Sequence, residues 1–586
     1  MKSLLKYLKD YKKETILAPL FKMLEATFEL FVPLVMAAII DTGIGESDKG
    51  YILKMSAVLV ALGLIGLVCS ITAQYFSAKA ACGFAAKIKT ALFEKLQNMS
   101  FTEMDHVGTS TMINRMTTDV NQVQTGVNMV LRLFLRSPFI VFGAMIMAFT
   151  IDRKAALIFV IVIPVLSVIV FGIMVLTIPL YKNVQRQLDH VLEKTRENLT
   201  GIRVIRAFGK EQEEIQEFDA RNNALTKFQQ YVGKISALMN PITYIIINVA
   251  IVALIYIGAL RVDAGILTQG AVVALYNYMS QILVELIKLA NLIITVTKSM
   301  ASAQRIEGIF HITSHENEAV KIDCNKEESI RKANPCYKVV FDRVSLVYEN
   351  AGEEALTDID FKVKEGETVG IIGGTGSGKT SLVHLIPGFY PASSGEVLID
   401  GKNVRDYDPE ELRGKIGIVM QKAVLFQGTI RENMLWGNKH ADDREMIKAI
   451  ETAQAKDILL KKEKGLDEMI EQGGRNLSGG QRQRLSIARA LVRKPEILIL
   501  DDSASALDYA TDAALRKSLQ ELDYNPTVFI VSQRTSSIMH ADKIVVLDDG
   551  HVEGIGTHEE LLKNCIVYRE IYESQFKKES GKEAAS

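Results

Sequence analysis

The sequence predicts two domains of different class: an all-α six-helix transmembrane domain, followed by an α/β domain built around a phosphate-binding loop. Three observations carry this. Six long apolar stretches fill the first half of the chain, and a spanning helix needs about 20 consecutive apolar residues. In the second half, short β-rich apolar runs alternate with helical patterns, as in a sheet covered by crossover helices. Residues 373–380 read Gly-Gly-Thr-Gly-Ser-Gly-Lys-Thr, between an apolar run at 368–372 and a stretch from Ser381 that can open a helix. Strand, glycine loop and helix in that order are the context of a P-loop, so the second domain is expected to be an α/β P-loop nucleotide-binding domain.

Composition narrows the class. The chain has 586 residues, more than one domain of about 100–200. A net charge of −1 gives no bulk pull toward nucleic acid. The five cysteines (Cys69, Cys82, Cys324, Cys336 and Cys565) lie far apart, which fits a reducing compartment rather than a disulfide framework. His558-Glu559 begins a metal-binding pattern, but Leu562 stands where its second histidine belongs. No cleavable signal or transit segment is expected.

In chain order, residues 1–13 carry five lysines between Leu4, Leu5, Leu8 and Tyr11, which predicts an amphipathic helix on the inner membrane face. The six spans are expected near 15–40, 57–73, 137–151, 155–180, 235–260 and 265–284, the third being the shortest. Lys79, Lys87, Lys89, Lys95 and Arg115 follow span two, and Lys182, Arg186, Arg203, Arg206 and Lys210 follow span four. Positive loops stay inside, so both long segments and both termini are expected in the cytosol, against a small excess of outer charge at Arg153 and Lys154. Stretches 105–120 and 198–211 are expected at the cytosolic turns, placed to press on a cytosolic domain. The expected division is a transmembrane domain at 1–310, a linker at 311–336, a nucleotide-binding domain at 337–576 and a frayed tail at 577–586.

Each residue of the glycine loop has a chemical reason. Backbone N–H groups of Gly373, Gly374, Thr375, Gly376, Ser377 and Gly378 can converge on phosphate oxygens only where bulky side chains are absent. Lys379 reaches the β- and γ-phosphates of ATP, and the Thr380 hydroxyl ligates Mg²⁺. Asp501 ends the apolar strand pattern at 497–501 and suits Mg²⁺. Gln421 follows the apolar run 416–420 and can reach metal or water. Ser478, Gly479, Gly480 and Gln481 precede a helix and form a second anion-binding device. One ATP does not need two such cradles from one chain. Tyr348 is placed to stack on adenine, and Asp508 follows the Asp501 strand closely.

With Leu477-Ser478-Gly479-Gly480-Gln481 added to both nucleotide motifs, the chain resembles a half-transporter of the ATP-binding cassette (ABC) exporter family over essentially its whole length. The resemblance implies two nucleotide-binding domains meeting head to tail, each ATP lying between one chain's P-loop and the other chain's signature. It implies an adenine-stacking role for Tyr348, a metal- or water-reaching role for Gln421, a dimer-contact role for Asp508, and coupling helices at the two cytosolic turns.

Two residues depart from the family pattern. Where a glutamate base normally follows the metal carboxylate stands Asp502, shorter by one methylene, or roughly 1.5 Å. A base acts only within hydrogen-bond reach of its proton or through one water. Where the family usually has a histidine on the γ-phosphate stands Gln533, which cannot titrate. Both departures fall on the ATP held by this chain's own P-loop, while the signature is intact. The pattern resembles the degenerate-site subunit of bacterial heterodimeric multidrug exporters: a cell-membrane protein paired with a second half-transporter, with membrane lipids and a small molecule as its other partners. A homodimeric lipid or peptide translocase, and an ATP-gated regulator with vestigial hydrolysis, stay open. Glu25 and Glu29 in span one, and Glu285 and Lys288 in span six, are candidates for substrate contact or for structural ion pairs such as Lys22 with Glu25.

Overall fold

The computed structural model describes residues 3–312, 337–348, 351–460 and 464–583, with side chains described through residue 576. The expected linker at 311–336 therefore lies almost wholly outside the described residues. The chain divides into two compact units: 1–97 with 110–312, and 98–109 with 313–586.

The first unit is helical. A short 3₁₀ helix, Leu4–Tyr11, lies where an amphipathic helix is expected at the N-terminus and runs into α1 (Lys12–Ala38). α2 covers Lys49–Gln97; α3 (Phe101–Val107), which belongs to the second unit, follows it in the chain. Next come α4 (Thr109–Asn114), α5 (Val120–Leu133) and α6 (Arg136–Ile151). α7 (Arg153–Ala207), α8 (Glu211–Ala237), α9 (Met239–Asp263) and α10 (Gln269–His311) complete the set. Among the described residues, six helical segments are long and apolar enough to cross a membrane: Leu4–Ile44, Lys49–Gln97, Thr109–Ile151, Arg153–Ala207, Glu211–Asp263 and Gln269–His311. At 1.5 Å rise per residue, the 49 residues of α2 extend about 70 Å, against a hydrocarbon core of about 30 Å. The long polar segments are therefore continuations of membrane helices. The apolar run of the third span is short because the polar helix α5 precedes it. Exposed Val168, Val175 and Val252 are the aliphatic surface a lipid-facing helix presents, while Ile140, Phe159, Leu254 and Tyr278 pack inside.

The second unit carries β1 (Tyr337–Leu346), β2 (Leu356–Lys364), β3 (Thr368–Gly373), β4 (Ser394–Ile399), β5 (Lys402–Asn403) and β6 (Ile416–Val419). β7 (Gly428–Thr429), β8 (Met469–Ile470), β9 (Ile497–Asp501), β10 (Thr527–Val531), β11 (Lys543–Asp548) and β12 (His551–Gly556) follow. An antiparallel sheet has the order β2-β1-β4-β5, and a six-stranded sheet the order β12-β11-β3-β10-β9-β6. In β9, Ile497 and Ile499 join one core cluster while Leu498 and Leu500 join another. A strand covered on both faces reads as a continuous apolar run, which is why Ile-Leu-Ile-Leu is visible in the sequence. The last helix, Ile566–Glu583, continues into the stretch expected as a frayed tail. The second unit also includes 98–109: the Phe101 ring stacks on Phe389 at 4.3 Å, and the Tyr390 hydroxyl donates to Asp105 at 2.6 Å.

Candidate active site

Parallel strands β3, β10, β9 and β6 lie side by side, in register and pointing the same way. Whatever follows their C-terminal ends is gathered on one edge, where ligands of open α/β sheets bind. That edge brings together the glycine loop after β3, Ser532 and Gln533 after β10, Asp501 and Asp502 at the end of β9, and Gln421 after β6.

The loop geometry matches its composition. A Cβ on Gly373 would lie 2.1 Å from the Leu547 carbonyl oxygen, and one on Gly378 would lie 2.7 Å from that of Ala355. Gly378 also has φ +89°, the left-handed region that favours glycine, and it caps the helix Lys379–Leu385. That helix begins two residues earlier than the sequence pattern suggests. Around Gly374 and Gly376 there is open space within 4 Å of a built Cβ, as a ligand cradle requires. Lys379 is buried, and its ammonium donates to the Gly373 carbonyl at 3.0 Å, to Ser377 Oγ at 3.2 Å and to the Gly374 carbonyl. Burial holds that ammonium below its ordinary pKa, opposed by the charges of Asp502 and Asp501.

The Thr380 hydroxyl donates to Asp501 at 3.0 Å, so a hydroxyl and a carboxylate stand side by side as hard oxygen donors, the set that fits Mg²⁺. Asp501 is 1% exposed. Burial pushes its carboxyl above the usual range, and the neighbouring Asp502 charge adds to the shift. Asp502 sits in a left-handed turn at φ 46° and accepts from the Gln421 amide at 3.3 Å. Burial raises its pKa too, with the Gln421 hydrogen bond, Lys379 and Arg534 opposing. Tyr348 packs edge-on against Tyr390 at 5.0 Å, and its hydroxyl donates to Ser381 at 2.9 Å. The ring therefore lies beside the first turn of the loop's helix.

Ser478, Gly479 and Gly480 are not part of this edge; among the described residues no hydrogen bond joins them to the glycine loop. Ser478 is exposed and caps the helix Gly479–Val492 in a reciprocal box: Ser478 N–H donates to Gln481 Oε1 at 2.9 Å, and Gln481 N–H donates to Ser478 Oγ at 3.3 Å. Asp508 is exposed as well, and its carboxylate accepts from the Thr511 N–H at 3.4 Å.

Sequence reasoning missed three side chains here. The Arg534 guanidinium lies over the Tyr509 ring at 5.2 Å and bears on Asp502. His384 has Nε2 3.9 Å from Asp501 Oδ2. Gln575, on the last helix, clamps the segment after β10. Its Oε1 accepts from Thr535 N–H at 2.9 Å and Thr535 Oγ1 at 2.6 Å, and its amide donates to the Gln533 carbonyl at 2.8 Å. No local pattern marks Gln575, because its partners lie some forty positions away. Thr535 is fully buried. Gln575→Leu is expected to cost about 1–3 kcal/mol of local stability, seen as faster amide hydrogen exchange at Thr535; unchanged exchange would mean the clamp carries no load.

Residues 15–286 match the ABC transporter transmembrane region family, and residues 356–505 match the ABC transporter family. The chain is 34% identical over 581 residues to the uncharacterized ABC transporter ATP-binding protein YfiB of Bacillus subtilis strain 168, covering 99% of this chain and 100% of that one. It is 33% identical to YgaD of the same organism, which carries the provisional name of multidrug export ATP-binding/permease protein, with 98% of each chain covered. A solved bacterial Atm1-family ABC exporter with ATP bound has the same fold, at TM-score 0.79 and 22% identity, covering 96% of this chain and 98% of that one.

Proposed function

The chain belongs to the ABC transporter family as an exporter half-transporter, a multi-pass membrane protein with one transmembrane region and one ATPase domain, and on that premise we propose that it is one half of a heterodimeric exporter of small amphipathic molecules. Both termini and the nucleotide-binding domain face the cytosol of a cell whose cytoplasmic membrane it spans.

ABC ATPase domains use ATP with Mg²⁺. In this reading the N–H groups of the glycine loop and the Lys379 ammonium hold the β- and γ-phosphates, and the Tyr348 ring stacks on adenine. Thr380, Asp501 and Gln421 hold the Mg²⁺. A Mg²⁺ held there would supply positive charge against the phosphate oxygens. Asp502 and Gln533 occupy the positions that activate water and contact the γ-phosphate. Ser478, Gly479, Gly480, Gln481 and Asp508 serve the ATP held by the other half-transporter.

The observation that carries the asymmetric reading is the pairing of Asp502 with Gln533. They follow the C-terminal ends of β9 and β10, the two strands next to the glycine-loop strand on one side, so both changes bear on one phosphate site. The Asp502 carboxylate is short and turned toward the Gln421 amide, and the Gln533 amide carries no charge to place on a γ-phosphate. The signature serine keeps its full capping box. This chain's own site thus binds ATP and turns it over slowly, and the composite site using its signature turns it over fast. YgaD, named for multidrug export, supports the substrate class.

The test compares the purified chain with the same chain co-purified with the half-transporter encoded beside it. The pair is expected to hydrolyse ATP at least about tenfold faster per site than the chain alone, equivalent to about 1.4 kcal/mol in the barrier. An equally fast single chain would make this a homodimer with Asp502 as a working base.

A further inference from the structure

The four charged residues the sequence singled out in spans one and six separate into different roles. Glu25 is taken by Lys22 at 2.5 Å, and the Lys22 ammonium also donates to Ser70 at 3.1 Å. Glu285 is 2% exposed and saturated. It accepts from Arg136 Nη1 at 2.6 Å, Ser137 Oγ at 2.8 Å and Lys288 Nζ at 2.8 Å. Arg136 is itself buried, and its second arm donates to Glu29 at 2.6 Å. Glu29 and Lys288 differ from these: their side chains are 40% and 41% exposed. Both line a cavity of about 520 Å³ within the first unit, together with Val32, Met36, Asn277 and Gln281. That volume is in the range of small-molecule sites, about 300–1,000 Å³.

The charges in this network cancel. Arg136 and Lys288 are cations, Glu29 and Glu285 anions. Glu29, Glu285 and Lys288 all line the cavity; Glu285 is nearly buried against Arg136, and the two with exposed side chains, Glu29 and Lys288, are one of each sign and keep bonding capacity. Arg136 engages one oxygen of Glu29, leaving a carboxylate with a second oxygen, and Glu285 engages the Lys288 ammonium, which has three donors. A ligand that expels water from the cavity must replace the hydration of both groups or leave them desolvated, which is costly. A purely cationic ligand satisfies Glu29, but it adds net positive charge beside Lys288 in a membrane-embedded site of low dielectric. An anionic ligand fails in the opposite way.

We propose that this cavity binds amphipathic small molecules of zero net charge that carry both an ammonium and an acidic group, the ammonium on Glu29 and the acid on Lys288. Val32 and Met36 take the apolar part, while Arg136, behind the cavity wall, and Glu285, nearly buried in it, hold the two charged groups in place. This rests on the export reading above and gives its substrate class.

The test uses the assembled exporter in lipid nanodiscs without nucleotide, and three matched fluorescent probes. These are Nε-dansyl-lysine, a zwitterion; its methyl ester, a cation; and its Nα-acetyl derivative, an anion. The zwitterion is expected to bind about tenfold tighter than either analogue, a difference of about 1.4 kcal/mol. Glu29→Gln should weaken the zwitterion and the ester but not the acetyl derivative. Lys288→Met should weaken the zwitterion and the acetyl derivative but not the ester. Ester binding as tight as that of the zwitterion overturns the proposal, as does equal binding of all three. The ranking is read on the unaltered protein, so it stands even where a variant fails to fold. Transport is read separately, as Mg-ATP-dependent probe movement in proteoliposomes. A correctly ranked probe that is never moved overturns the export reading and leaves the site. Movement of amphiphiles without the ranking does the reverse.

Discussion

Ser478→Arg is expected to lower steady-state ATP turnover of the assembled exporter by about 10²–10³-fold, the loss seen when a single transition-state hydrogen-bond donor is removed from an active site. Asp502→Asn should change it by less than about threefold, since in the proposed asymmetric pair this chain's own site contributes little to the total rate. The contrast follows from the geometry. Ser478 is exposed, and within its own chain it does no more than cap the helix Gly479–Val492. Losing that cap costs about 1 kcal/mol, too little to unfold the domain, so a silent but folded variant points to chemistry at the composite site. Asp502 already spends its short carboxylate on the Gln421 amide. Phosphate release under saturating Mg-ATP, with a thermal-unfolding control, checks both. Should Asp502→Asn silence the enzyme while Ser478→Arg spares it, the active site is the one on Lys379 and the asymmetry is reversed.

The second large effect lies in the membrane domain. Glu285→Ala leaves the buried Arg136 with Glu29 as its remaining partner in the network. Leaving an uncompensated buried charge costs about 3–5 kcal/mol, and with Glu29 still paired the loss here falls at or below the lower end of that range. The expected result is a steep loss of monodisperse protein on extraction, measured by fluorescence-detected size exclusion. The double variant Arg136→Met with Glu285→Leu should recover much of that loss, because removing both charges removes the desolvation penalty as well as the attraction. A Glu285→Ala protein as stable as the parent would mean that the network does not hold α6 to α10.

Much of the active site was legible because its signals are local. A glycine is required where φ is +89° at Gly378, and where a Cβ at Gly373 would strike the Leu547 carbonyl. The strand into Asp501 is apolar at every position because both faces are covered. The capping box at Ser478 and Gln481 spans three positions. What could not be read were the contacts between distant segments. The Gln575 clamp, the Gln421 hydrogen bond to Asp502 and the packing of Phe101 on Phe389 each join residues whose separation carries no periodicity.

The sequence by itself determined the two domain classes, the six spans and the chemistry of the glycine loop. Each depends on hydropathy, periodicity or steric demand over a few neighbouring residues. It also determined that charges in spans one and six need partners, since an unpaired ion inside a membrane protein is too costly to keep. Only the tertiary structure decided which partners they took. Arg136 finds Glu285 and Glu29 because of how α1, α6 and α10 are rotated against one another. That rotation is set by the packing of whole helix faces, so Glu285 became a nearly buried anchor in the cavity wall while Glu29 and Lys288 kept exposed side chains there.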